Sequence, residues 1–216
     1  MRRVVTWCGL IFLAALLNAC GHKAALVKGQ QTIDLSSRSI ALLSVTVSNQ
    51  NKPDYQPFPY IVYLEGANAD AFVLDEEAPH HSKPGQSNEY LVNFEVKPGS
   101  GSLDKIWFDY HGAFLGARAS IPMNLAMDIK PGAANYLGHL HVLIRAKKSD
   151  DEDSAGPAVP LINQATAGFS NGTYEVTVED RFDEDMKWFI TEYPALRTAR
   201  IEKAILPAWK KPHSAR

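Results

Sequence analysis

Two imidazoles stand two residues apart in Tyr136-Leu137-Gly138-His139-Leu140-His141-Val142-Leu143-Ile144. Side chains alternate between the faces of a β-strand, so His139 and His141 project together, opposite Leu140, Val142 and Ile144. Neutral imidazole is a common ligand for zinc and copper, and a pair so placed supplies part of a metal site. A third ligand has to come from a distant part of the chain, and His80, His81, His111 and Asp109 are available. Without it, the pair reads as two exposed strand histidines.

Three further constellations resemble chemical motifs. Gly168-Phe169-Ser170-Asn171-Gly172 fits Gly-x-Ser-x-Gly, which nominates Ser170 as an esterase-like nucleophile. A nucleophile elbow needs a strand before the serine and a helix after it. Here an alternating strand begins at Thr173, and Asn171-Gly172 is a strong hairpin signal, so a turn is expected. Asp109 and His111 place an acid beside an imidazole at a strand end, but no cysteine follows Cys20 to act as a nucleophile with His111. The acidic run Asp150-Asp151-Glu152-Asp153 lacks the spacing, the glycine and the terminal glutamate of a calcium loop, so residues 147 to 160 are expected to be a solvated loop on one rim.

The tracts Pro57-Phe58-Pro59-Tyr60-Ile61-Val62-Tyr63 and Ile106-Trp107-Phe108-Asp109-Tyr110 are aromatic. Alternating aromatic and aliphatic side chains predict core packing and cross-strand pairs, with a platform for sugar or peptide as the alternative.

The N-terminus carries a different kind of signal. Residues 1 to 19 contain Arg2 and Arg3, no acid, and an unbroken apolar run from Leu10 to Leu17. A basic start and an apolar stretch too short to span a bilayer comfortably make a secretory signal. It closes on Leu17-Asn18-Ala19-Cys20, which resembles the lipobox of bacterial lipoproteins, with Asn18 a less usual occupant of its slot. The resemblance implies a thioether-linked diacylglycerol on Cys20, cleavage after Ala19, acylation of the new amine and a membrane contact through the lipid alone. Gly21 in place of aspartate implies, by the same resemblance, sorting to the outer membrane with the protein facing the periplasm. Cysteine usage agrees, because Cys8 lies in the removed segment and Cys20 would be left unpaired in an oxidising compartment.

Beyond the signal, residues 20 to 38 show no sustained periodicity and read as the lipid anchor and a mobile tether. From residue 39 the spacing of apolar residues is two, in Leu43-Ser44-Val45-Thr46-Val47-Ser48 and again in Tyr90 to Val96. Further strands are expected at Tyr60 to Leu64, Ile106 to Tyr110, Leu125 to Ile129, Asn135 to Arg145 and Thr173 to Glu179, punctuated by Gly and Pro turns. Met186, Phe189, Ile190 and Tyr193 then form the stripe of an amphipathic helix. Asp183 is its expected N-cap, Glu184 and Asp185 face the helix dipole, and Pro194 closes it. Residues 39 to 206 are thus one domain, and 207 to 216 a basic, solvated tail.

With 22 Lys+Arg against 24 Asp+Glu in 216 residues, the chain lacks the basic excess of a nucleic-acid binder. Its hydrophobic content of 45% excludes a disordered chain. Ile129-Lys130-Pro131-Gly132, Tyr136-Leu137-Gly138 and the stretch Asp183 to Pro194 are similar to segments of uncharacterised bacterial lipoproteins with small periplasmic β-sandwich domains. The expectation is a mainly β protein, an antiparallel β-sandwich of immunoglobulin-like or transthyretin-like kind with one C-terminal amphipathic helix. As a lipid-anchored envelope protein it would be a non-catalytic binding or assembly factor, with no cofactor beyond the lipid on Cys20 and with an envelope protein as partner. Metal binding through His139 and His141, and hydrolysis through Ser170, are the alternatives.

Overall fold

The protein is described by a computed structural model covering residues 24–66, 69–74, 78–113, 115–157 and 164–212. The signal segment 1 to 19, Cys20 and the last four residues of the basic tail lie outside the described residues. All seven expected strands form, and three short ones join them. One sheet contains β2 (Phe58–Gly66), β3 (Asp70–Val73), β6 (Gly99–His111) and β7 (Gly116–Ile129), in the order β3-β2-β6-β7 and antiparallel throughout. The second contains β1 (Ser39–Asn49), β4 (His81–Lys83), β5 (Ser87–Val96), β8 (Ala134–Ala146), β9 (Gly172–Glu179) and β10 (Ile201–Lys203), in the order β10-β8-β1-β5-β4. Both β10 and β9 pair with β8, β10 at Ala134 to Tyr136 and β9 from His139 onward.

The sandwich is therefore not wholly antiparallel. Strand β8 runs parallel to β1 and to β10, while β1–β5, β4–β5 and β8–β9 are antiparallel. A parallel neighbour requires a long crossover. Everything from β2 to β7 lies between β1 and β8 in the chain and supplies it.

The main core lies between the sheets. Leu43, Val45, Val47, Val92 and Phe94 of the second sheet share it with Val62, Ile106, Phe108, Ile121 and Met123 of the first. The opposite face of the second sheet is also apolar, with Ile40, Leu42, Leu91 and Tyr136 packed against helix α1 (Phe182–Glu192) through Met186, Phe189 and Tyr193. Burying a side chain such as Phe189 contributes on the order of 2–3 kcal/mol, so this third layer has real adhesive strength. Burial on both faces explains why Ile40 to Leu43 is continuously apolar rather than alternating.

Three local expectations are corrected. The helix cap is Arg181 rather than Asp183, and its own side chain makes no capping bond; the first helical N–H, of Phe182, is accepted by Asp180 Oδ1 at 3.1 Å. The intended tether is docked from Leu26, which is 2% exposed and donates its N–H to Asn93 Oδ1 at 2.6 Å. Gly29 N–H then bonds Glu192 O at 2.9 Å and Ala195 N–H bonds Gln30 O at 2.8 Å, binding this segment to the end of α1. Its apolar residues show no period because it packs as irregular chain. The tail is also docked, since Trp209 packs on the main core and donates its indole N–H to Pro122 O at 3.1 Å.

The 147 to 160 loop is solvated only in part. Ala155 is buried and accepts the Ser120 N–H at 2.8 Å, while Gln164 bonds both the N–H and the C=O of Arg118. Together they cover the free edge of β7, which would otherwise offer unpaired backbone groups for aggregation.

One irregularity sets up the site. In the β1–β8 pairing, Leu42 opposes Tyr136 and Ser44 opposes His139, so two residue steps on β1 match three on β8. Gly138 absorbs the extra residue with φ 111°, in the region that glycine tolerates. The bulge turns both Tyr136 and His139 toward α1.

Candidate functional site

An open cleft of about 420 Å³ runs between α1 and the outer face of the second sheet. Thr46 of β1 and His141 of β8 line it from the sheet, His81, Lys83, Ser87 and Glu89 from β4 and β5, and Arg181, Glu184 and Trp188 from the helix side. The even-numbered residues of β1 face this layer, with Ile40 and Leu42 under the helix and Thr46 where the cover ends.

Beneath the cleft runs a buried hydrogen-bond chain. Tyr136 donates its hydroxyl to Asp185 Oδ2 at 2.7 Å, and His139 Nδ1 lies 3.0 Å from the same oxygen. His139 Nε2 lies 2.7 Å from Thr46 Oγ1. An ionised carboxylate only accepts, so in the neutral ring Nδ1 carries the proton, Nε2 accepts, and Thr46 donates. Asp185 and His139 are both fully buried. Burial pushes the Asp185 carboxyl up, but hydrogen bonds from His139 and Tyr136 outweigh it and hold the group below its ordinary range. Burial, followed by the Asp185 bond, raises the Tyr136 phenol. Ser44 Oγ is buried without a hydrogen bond of ordinary geometry, yet its hydroxyl is close enough to Asp185 to lower that carboxyl slightly.

Arg181 closes the chain from above. Its guanidinium reaches 3.3 Å from His139 Nδ1 and 3.4 Å from Nε2, which sets it against the ring, and it pairs with Glu184 at 2.6 Å. The Glu184 hydrogen bond raises the guanidinium pKa, with further contributions from Asp185 and Glu89. His141 stacks on His139 with ring centroids 4.4 Å apart. Burial, then the neighbouring His139, lowers the His141 pKa against the opposing pull of Glu179, whose Oε2 lies 3.2 Å from Nε2 outside hydrogen-bond geometry.

The two strand histidines thus share a face as expected, opposite Leu140, Val142 and Ile144 in the main core. They are not both exposed, because α1 covers His139. Of the proposed third ligands, His81 lines the same cleft, whereas Asp109 and His111 belong to β6 in the other sheet. The acids brought to His139 are Asp185, expected to face the helix dipole, and Glu89, which no motif singles out: ligand atoms of Glu89, His139 and Asp185 lie within 4.8 Å of one another. A signal for Asp185 was present, since it falls on the helix stripe with Met186 and Phe189, and an acid on a buried stripe needs a buried partner.

A hydroxyl, an imidazole and a carboxylate in this order are the parts of an activated nucleophile. Acyl transfer also needs donors for the developing oxyanion. Strand β1 is paired on both sides, by β5 and β8, so the backbone around Thr46 is committed to the ladders and Arg181 is the nearby donor. These bonds fasten α1 to the sheet and leave Thr46 and Arg181 lining the cleft. Ser170 lies in a bend directly before β9, with a strand and no helix after it.

A second cavity, of about 880 Å³, opens on the outer face of the first sheet. Arg118 grips Asp109 through two bonds of 2.6 Å and lies over Trp107 at 4.5 Å and Tyr60 at 5.3 Å. The aromatic tracts are divided between the two faces, with Phe58 and Phe108 in the core and the Tyr63–Trp107 pair, 4.9 Å apart, turned outward.

What these features define is a mainly β, sandwich-like domain with a third layer of helix and irregular chain. No family of known sequences, no curated protein and no solved structure matches it. Among the described residues, no helix is long and apolar enough to cross a membrane.

Proposed function

We propose that the chain is a lipid-anchored cell-envelope protein, held in the outer membrane through Cys20 and facing the periplasm, where it acts as a non-catalytic binding or assembly factor. The observation that carries this reading is the run Leu17-Asn18-Ala19-Cys20 after a basic, then apolar, leader. Two or three acyl chains, at about 0.8 kcal/mol per buried methylene, hold a protein on a membrane without any spanning helix. The test is fractionation of wild type and Cys20→Ala on a density gradient. Wild type is expected with the outer membrane and Cys20→Ala in the soluble periplasm; identical distributions would overturn the anchor.

A metal-binding reading is favoured by the approach of Glu89, His139 and Asp185 to one another. Arg181 already supplies a cation there, and Thr46 and Asp185 engage both nitrogens of His139, so a metal would have to displace these groups. Calorimetry with zinc and copper on wild type and His139→Ala/His141→Ala tests it, and equal affinity in the two proteins would refute it.

A further inference from the structure

We propose that the layer formed by α1 and the N-terminal segment is the face the protein turns toward the lipid bilayer, with Trp188 and Val27 reaching the headgroup region. This inference rests on the acylation of Cys20 proposed above. Its first support is the length of the leash. Six residue steps separate Cys20 from Leu26, and even fully extended they span only about 20 Å. Leu26 is a fixed point, buried beside Phe189 and Tyr193 with its N–H bonded to Asn93. From Leu26 the chain runs back through Ala25 and Ala24, which line a cleft with Asp70 and Phe72 of β3, so the acyl chains lie near the helix layer and this adjoining edge, while the outer face of the first sheet is on the far side of two packed layers, each on the order of 10 Å thick.

The second support is independent of the leash. Among the described residues, the exposed large hydrophobic side chains are Val27, at 69%, and Trp188, at 45%, and both lie on this layer. Trp188 stands on the flank of α1 that borders the cleft, one turn before Glu192, with its ring 4.5 Å from His80 and its outer part in solvent. Gly29 is bonded to the Glu192 carbonyl, and Lys28 Nζ lies 3.5 Å from its carboxylate, which brings Val27 to the same end of the helix. Indole is favoured at the membrane interface, where its apolar body and its N–H are both satisfied. Lys187 precedes Trp188 in the chain and suits a lipid phosphate. The acids one turn to either side of Trp188 are already paired, Glu184 with Arg181 and Glu192 with Lys28 and His80.

This orientation has a consequence for partners. The cavity of Arg118, Trp107 and Asp109 would face away from the membrane, where an envelope partner can reach it.

The test is tryptophan quenching in the lipidated mature protein, residues 20 to 216, reconstituted in phosphatidylethanolamine/phosphatidylglycerol vesicles with and without brominated lipid. Wild type is expected to lose part of its emission to the brominated lipid, and Trp188→Phe to lose that quenched fraction entirely while keeping the same melting temperature. Equal quenching in both proteins would overturn the inference, as would sedimentation showing wild type as a dimer and Trp188→Phe as a monomer, which would assign the patch to a second copy. The mass of the same preparation separates the two claims. Acylated Cys20 without Trp188 quenching refutes the orientation alone, whereas an unacylated Cys20 refutes the anchor and the orientation with it.

Discussion

Replacing Asp185 by alanine should cost far more than an acidic residue in a helix first turn normally contributes. The side chain accepts from Tyr136 Oη and His139 Nδ1, and all three groups are buried. Removing it leaves two buried donors without an acceptor, at about 1–3 kcal/mol each. Together the two unsatisfied donors set an expected cost of about 3–5 kcal/mol. If Asp185 merely faced the helix dipole from solvent, the loss would be about 0.3–1 kcal/mol. For a domain of this size the larger figure corresponds to a fall in Tm of roughly 6–20 °C. Urea unfolding followed by circular dichroism gives the free energy directly. Asp185→Asn retains an acceptor oxygen and should fall between wild type and alanine, and Tyr136→Phe should couple to Asp185→Ala by about 1 kcal/mol or more. Because the folded-state carboxyl is depressed, its contribution is present above the unfolded value of about 4 and is lost as pH falls through the depressed one. The gap between wild type and Asp185→Ala should therefore be flat near neutrality and shrink in acid. A cost below about 1 kcal/mol at pH 7 would refute the buried-network reasoning.

Gly138→Ala places a Cβ at φ 111° and 3.2 Å from Glu179 O, so it should destabilise by about 1–3 kcal/mol in the same urea assay. His141 has a lowered pKa in the fold, so the unfolded chain binds the extra proton first, and stability should fall as pH drops below the ordinary histidine value of about 6.5. Melting curves at pH 7.5 and 5.5 should show a smaller acid-induced loss in His141→Gln than in wild type. Asp109→Ala frees the Arg118 fork over Trp107, and should shift the emission of that indole without moving the far-ultraviolet spectrum.

Much of the fold was legible because strands with one buried face announce themselves. Tyr174 and Val176 alternate with Glu175 and Thr177 in sequence and in burial alike. The partner of each strand was not legible, since alternation specifies a face and leaves direction and neighbour open, and so the parallel pairing of β1 with β8 went unread. The third layer was hidden for a related reason. Leu26 and Leu35 are buried in an irregular segment without a period, and the second apolar face at Ile40 and Leu42 was visible only as continuity. His139 and His141 were singled out by spacing, but Thr46 looked like one more hydroxyl on a wet strand face. Its role depends on α1, Arg181 and the bulge at Gly138, which tertiary packing brings together from different parts of the chain.

Attachment through Cys20 is read out by mass spectrometry of the N-terminal tryptic peptide from protein extracted from its native membrane. The expected peptide is Cys20-Gly21-His22-Lys23 carrying a thioether-linked diacylglycerol and an acylated amine. Unmodified Cys20, or a peptide that still includes residues 4 to 19, would contradict it.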